Sequence, residues 1–335
     1  MKEKTNLNEI ARILNISTTT VSRALSGTGR VSKETRKKVI EIAEELGYST
    51  PSQRRLGTFI KPTNHSHNVG VVIARDLLYE SDFFHQCLLG AASALADHNY
   101  ETLLILCNTD EYEPLRPAAE RGDLDGVIFL RAISGEKSHP YLKKKNIPVV
   151  VVGSGVKNAL IVDSNNLLAC RELCSNLVNC GCKNISFICG NINYTVNKNR
   201  LDGVLMGMTD YRLEPNPNII FKDIESFSSC KIAVETAIQR RADGIICGDE
   251  VTTIWTYDIL TQNGISVPKD ILLASCYDSK ALSHHSPTIS AAHVDARKMG
   301  IEAGEAMCRL LSGTENRRFI PVEHTIHLRE STRSF

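Results

Sequence analysis

Between Ser17 and Arg23 the chain reads S-T-T-T-V-S-R, a run of short hydroxyls closed by a guanidinium. These side chains suit a nucleic-acid duplex. At the start of a helix lying in a major groove, Thr18 and Thr19 would reach base edges. Arg23, one turn on, can donate two parallel N–H groups to guanine O6 and N7. Thr20 and Ser22 are short enough for phosphate oxygens. Arg30 and Ser32, at the start of the next helix, would add phosphate contacts. Singly, each could decorate any exposed helix, so the charge around them matters. Residues 1–61 hold 12 Lys or Arg against 6 Asp or Glu, whereas the remaining residues hold 27 against 32. A basic head on an acidic body points to a polyanion partner for the head alone.

Other chemistries find less support. The 11 cysteines are scattered and odd in number, and no C-x-x-C pair occurs. Cys107, Cys189, Cys247 and Cys276 close apolar runs, so the set is expected to be reduced, buried thiols rather than disulfides or metal ligands. No phosphate-binding G-x-x-x-x-G-K-[ST] loop appears, and Val156 stands where a nucleophile motif around Ser154 needs its last glycine. No cofactor, metal or catalytic activity is expected.

The elements that must position the hydroxyls are short helices. Leu7, Ile10, Ala11 and Leu14 repeat at helical spacing. Ser17 is a natural N-cap for a second helix carrying Val21, Ala24 and Leu25, after a tight turn at Asn15. A third helix starts near Ser32, carries Val39, Ile42, Ala43 and Leu46, and stops at Gly47. Leu7 to Tyr48 as a whole closely resembles the head of the lactose-repressor (LacI/GalR) family: S-x-x-T-V-S-R at Ser17 to Arg23, R-V-S at Arg30 to Ser32, T-R at Thr35 and Arg36, and A-x-E-L-G-Y at Ala43 to Tyr48 follow in order. The resemblance implies base reading at Thr18, Thr19 and Arg23, and phosphate contacts at Thr20 and Ser22.

Residues 49–68 are polar and turn-rich and read as a hinge. Thr50, Pro51 and Gly57 could bound a helix of one to two turns, too short to stand alone. The family resemblance implies a minor-groove wedge at Leu56. The stretch departs from the family in its Thr50-Pro51 start, in Arg54, and in being one residue short between Tyr48 and Leu56.

From 69 to 335 apolar strand runs (69–74, 102–107, 126–130, 148–152, 185–189, 244–247, 271–275) alternate with helical segments. This predicts a doubly wound, mainly parallel α/β core in two halves with a cleft between them. The family milestones continue at Phe83 to Gly90, Cys107 to Asp110, Asp125 to Ile128, Gly264 to Asp270, Tyr277-Asp278 and Ser286 to Ile289. They imply two subdomains like those of periplasmic sugar-binding proteins, the first about 69–160 and 290–319, the second about 161–289 and 320–332. The resemblance also implies an effector-binding role for Arg200, for Asp278, and for Asp249, beside which Gly248 replaces the family's asparagine. Asn165 and Phe84 are further candidates, and Phe227 is a candidate stacking ring for a small polyol.

The expectation is a DNA-binding transcription regulator, a repressor controlled by a small carbohydrate in the cleft. Control by a partner protein or a phosphorylated metabolite, or action as an activator, stays open. A homodimer on a pseudo-palindromic operator is expected, since one head covers few base pairs and no heptad tail follows EHTIHL. No run of about 18 apolar residues exists, and the opening residues lack a signal-peptide pattern, so a cytoplasmic protein without membrane contact is expected.

Overall fold

The computed structural model describes residues 7–26, 31–45, 66–74, 82–107, 113–134, 137–157 and 159–333. Contacts divide the chain into two compact units, Met1–His65 and Ser66–Phe335.

The first unit holds α1 (Leu7–Leu14), α2 (Thr18–Ser26) and α3 (Lys33–Glu45). Each sends one fully buried β-branched side chain into a common core: Ile10, Val21 and Val39. Ala11, Ala24 and Ala43 pack beside them and keep the helices close. Asn15 turns the chain at φ 51°, a left-handed conformation that asparagine tolerates better than most residues. Ile16 N–H closes the turn on Ala11 O at 3.0 Å. Ser17 caps α2 as its sequence suggests, accepting the Thr20 N–H at 3.1 Å. Ser32 does the same for α3 through the Thr35 N–H, also at 3.1 Å.

The second unit contains two six-stranded sheets. The first is built from β1 (Asn68–Ala74), β2 (Glu101–Cys107), β3 (Gly126–Phe129), β4 (Val149–Val152), β5 (Leu160–Ser164) and β11 (Phe319–Val322), in the order β11-β5-β4-β3-β1-β2. All its pairings are parallel. The helices α4 (Asp82–Asp97), α5 (Arg116–Arg121), α6 (Ser138–Lys144) and α12 (Ala296–Leu311) belong with it. The second sheet has β6 (Ile185–Ile188), β7 (Ile220–Phe221), β8 (Gly244–Cys247), β9 (Leu272–Ser275), β10 (Ser290–Val294) and β12 (His324–His327), in the order β12-β10-β9-β8-β6-β7. Here β12 alone runs antiparallel, against β10. Its helices are α7 (Asn166–Asn179), α8 (Thr195–Asp210), α9 (Phe227–Gln239), α10 (Glu250–Gln262) and the short α11 (Lys280–Ser283).

Helices on both faces explain why the central strands are apolar without alternation; all four valines of β4 are buried. In the first subdomain α4 and α12 cross at backbone contact. A Cβ added at Gly90 would meet the Arg297 carbonyl, and one at Gly300 the Cys87 carbonyl, so only glycine fits at either point.

Three crossovers join the subdomains: from β5 to α7, from β10 to α12, and from β11 to β12. They fall near 165, 295 and 323, a few residues beyond the expected 160, 290 and 319. The runs LIVDS and SAAHV carry polar residues at strand ends, so their apolar pattern does not mark which sheet they join. None of the 11 cysteines forms a disulfide. Burial pushes Cys87, Cys174, Cys182 and Cys189 up to about 12, which keeps them protonated and unreactive.

Candidate functional site

On α2 the packing settles which side chains face out. Val21 and Ala24 are turned inward. Thr18 and Ser22, four residues apart, share a face with Thr19 and Arg23, and all four are exposed. Thr20 is half-buried, and its hydroxyl lies 2.8 Å from Ser17 Oγ, inside the cap. Ser32 is exposed, and its Oγ is shared with Thr35 Oγ1 at 2.7 Å. Arg30 and Leu56 lie outside the described residues.

In the core a cavity of about 200 Å³ lies where the strand ends of the two sheets converge. Arg200, on the second turn of α8, and Asp249, the N-cap of α10, both line it, as does Phe84. Arg200 makes no hydrogen bond or ion pair among the described residues, and its Nε is buried without an acceptor. All hydrogen bonds of Asp249 through its side chain fall on Oδ1, from the Thr252 N–H and hydroxyl, both at 2.9 Å. Its Oδ2 accepts no hydrogen bond among the described residues.

A second carboxylate, Asp163 at the end of β5, faces the same space. It is 4% exposed. Burial raises its carboxyl to about 6, although the Ser154 hydroxyl, the Ser164 N–H and the Arg200 charge pull the other way. Phe83, Tyr194, Trp255 and Tyr277 supply rings to the wall. Arg131, two residues past β3, is buried and stacks over the Tyr194 ring at 5.9 Å. The space therefore offers an unmet guanidinium donor at Arg200, carboxylate acceptors and aromatic faces, the combination that a compact polyhydroxylated molecule fills.

Comparison with known proteins matches both units separately. A model for bacterial regulatory proteins of the lacI family matches residues 6–51, and one for a periplasmic binding protein-like domain matches residues 175–332. Both parts are those found in the lactose-repressor (LacI/GalR) family, a lacI-type head and a periplasmic binding protein-like core. The chain is a DNA-binding transcription regulator built as that family is, with a helix-turn-helix head and two parallel-sheet subdomains. The HTH-type transcriptional repressor PurR of Aliivibrio salmonicida (strain LFI1238) is 25% identical over 329 residues, covering 94% of both chains. The transcriptional regulator CelR in complex with cellobiose has a similar fold, at TM-score 0.73 and 21% identity over 98% of this chain and 99% of that one. So does the lac repressor dimer bound to operator and the anti-inducer ONPF, at TM-score 0.72 and 17% identity over 99% and 100%. Among the described residues no helix is long and apolar enough to cross a membrane.

Three residues that the sequence put forward for the LacI-family effector site do not reach the cavity. Asp278 lies three residues past the end of β9, next to Tyr277, and the two side chains meet different surroundings. Tyr277 takes the cavity side. Asp278 is instead gripped by Arg329, with 2.7 Å contacts to each oxygen, and by His327 Nδ1 at 2.8 Å. Burial pushes its carboxyl up, but these donors more than offset that and hold it below the ordinary value. His293 stacks on His327 at 4.9 Å beside them. Asp278, His293 and His327 hold three metal-ligating atoms within 4.8 Å of one another, yet both Asp278 oxygens already carry Arg329.

Asn165 is the N-cap of α7, accepting the Leu168 N–H at 3.0 Å. Its neighbour Asn166 faces the cavity and donates to Asp163 Oδ1 at 3.3 Å. Phe227 is 38% exposed and stands edge-on to Trp255 at 6.2 Å, so it backs the ring that lines the wall. Sequence reasoning passed over Asp163, Arg131, Trp255 and Glu250. For Asp163 and Arg131 the available signal was a polar residue ending a buried strand, where open α/β sheets bind ligands.

Proposed function

We propose that this regulator is a repressor, and that a small neutral sugar bound in the cavity sets its affinity for operator DNA. The observation that carries this reading is Arg200: a guanidinium facing an aromatic-walled space, with Nε buried and no acceptor for it among the described residues. A buried donor left unmet costs about 1–3 kcal/mol, which a ligand hydroxyl would recover. The relative crystallised with cellobiose agrees with a carbohydrate.

On the DNA side Thr18, Thr19 and Arg23 read bases, while Thr20, Ser22, Arg30 and Ser32 anchor phosphates. Leu56 acts as the minor-groove wedge of the hinge. Two copies pair to read a pseudo-palindrome in the cytoplasm, and the chain performs no catalysis.

A thermal-shift screen of neutral sugars, nucleosides and phosphosugars on the full chain tests the effector reading. A ligand at 100 times its Kd adds about 2.7 kcal/mol to native-state stability, a rise of several degrees in melting temperature for a chain of this size. A neutral sugar should give that rise with the wild type and none with Arg200→Ala. A hit confined to phosphosugars or nucleosides would replace the sugar, and a shift that survives Arg200→Ala would remove Arg200 from the site.

A further inference from the structure

Glu250 lines the cavity and is 8% exposed, yet it has no cationic partner among the described residues. Burying a carboxylate is costly unless donors meet it. Two helix N-termini supply the field. Glu250 is the first residue of α10, and its Oε1 accepts the backbone N–H of Asp82, the first residue of α4, at 3.3 Å. The two helices belong to different subdomains. One carboxylate thus sits between two N-terminal partial positive charges, and its one hydrogen bond among the described residues spans the cleft. The next residue along α4, Phe83, lies edge-on to Tyr277 of the second subdomain at 5.6 Å. A separate set of contacts ties the subdomains through main chain: Ser134 N–H to Asn193 O at 3.1 Å and Thr195 N–H to Ala132 O at 3.2 Å.

We propose that Glu250 is a positioning residue that latches the effector cleft shut. Its carboxylate pulls the N-terminus of α4 onto the second subdomain and so sets how often the cavity opens to solvent before any ligand arrives. The main-chain contacts at Ala132 to Thr195 are uncharged; Asn199 Nδ2 to Ser154 Oγ at 2.8 Å and Arg131 over the Tyr194 ring also cross the cleft, and Glu250 adds to them one contact that a single charge can adjust. The regulatory consequence rests on the reading of the cavity as the effector site, but the latch itself does not, and it can be tested with no ligand present.

Trp255 makes the measurement direct. It is the single tryptophan of the chain and it lines the cavity one turn beyond Glu250, so acrylamide quenching of its fluorescence reports opening. Two variants remove the latch differently. Glu250→Gln keeps the shape and loses the charge. Asp82→Pro deletes the donor N–H at the first position of a helix, where proline is favoured. Asp82→Ala keeps that N–H and serves as the control. Loss of one charge-assisted hydrogen bond should shift the open-to-closed ratio roughly tenfold. From a mostly closed start, the quenching constant should then rise about fivefold in both latch variants and stay at the wild-type value in Asp82→Ala. Cooperative melting of each variant shows that it is folded, and if Glu250→Gln does not fold, Asp82→Pro carries the test. Wild-type quenching in folded Asp82→Pro would overturn the latch. A sugar screen without hits would instead count against the effector reading and leave the quenching result standing.

Discussion

Arg23 and Asp163 show how one side chain can be assigned by where its polar end is left. Arg23 is exposed on the face of α2 that also carries Thr18, Thr19 and Ser22. If it pairs with a guanine, Arg23→Ala should cost about 1–3 kcal/mol on an operator selected from random duplexes. Binding to unselected DNA should change little. Equal losses on both, read by fluorescence anisotropy, would make Arg23 a phosphate contact.

Asp163 is the reverse case, a carboxylate placed where ionisation is unfavourable. Its value in the folded chain, about 6, lies above the ordinary 3.8. Between those values the folded chain holds a proton that the unfolded chain has released. Its contribution to stability therefore falls as pH rises from about 4 to about 6, and the cost is fully present above that window, at up to about 3 kcal/mol. Asp163→Asn keeps an acceptor for the Ser164 N–H, 2.8 Å away in the wild type. It should melt higher than wild type at pH 7, with the difference vanishing towards pH 4. A difference that does not vary with pH would mean that Asp163 carries no such burden.

At the scale of elements, a step of one residue decides what a side chain meets, a matter of parity along the chain. Asn165 and Asn166 are adjacent, and the helix start they share turns one into a cap and the other into cavity wall. Asn165→Ala should lower stability by about 1 kcal/mol, the usual worth of an N-cap, and leave the affinity for the sugar found in the screen unchanged. A loss of affinity, measured calorimetrically, would return Asn165 to the binding site.

This parity explains what the sequence made legible. The three head helices were readable because their caps, turn and apolar faces are local, each within a few residues. The buried strands β1, β4 and β8 were readable from unbroken apolar runs. The strand β5, with Asp163 and Ser164 in a five-residue stretch, was not, and neither was the two-residue β7. The cavity wall draws single residues from many strand and helix ends, and a step of one residue decides whether a side chain faces in. Arg200, Asp249 and Phe84 landed on the cavity side, whereas Asp278 and Asn165 each missed by one position, beside Tyr277 and Asn166. Trp255 and Glu250 lie on a helix whose apolar pattern gives no sign of which turn meets the other subdomain.

The whole molecule joins two separately built parts, a head of the DNA-binding lacI type and a core with a cavity between its subdomains. Sedimentation at micromolar concentration should show a dimer, because a single head with about one turn of exposed contacts gives modest affinity, and paired half-sites need paired heads. A stable monomer with and without operator would rule that arrangement out. In such a dimer, a ligand that closed the cleft about Arg200 and Asp249 would change the setting of the two core subdomains and, under the proposed reading, the affinity of the heads for DNA. Such coupling is typically about 1–3 kcal/mol and is reciprocal in binding.

The most direct test is an anisotropy titration of the selected operator with and without the sugar from the screen, using wild type and Arg200→Ala. The wild-type Kd for operator should change by roughly 5-fold to 150-fold when sugar is added, and the Kd for sugar should change by the same factor when operator is added. Arg200→Ala should bind operator as wild type does and ignore the sugar. An operator affinity in the wild type that is indifferent to every ligand the core binds would contradict the central claim, leaving a DNA-binding regulator whose cavity does not control it.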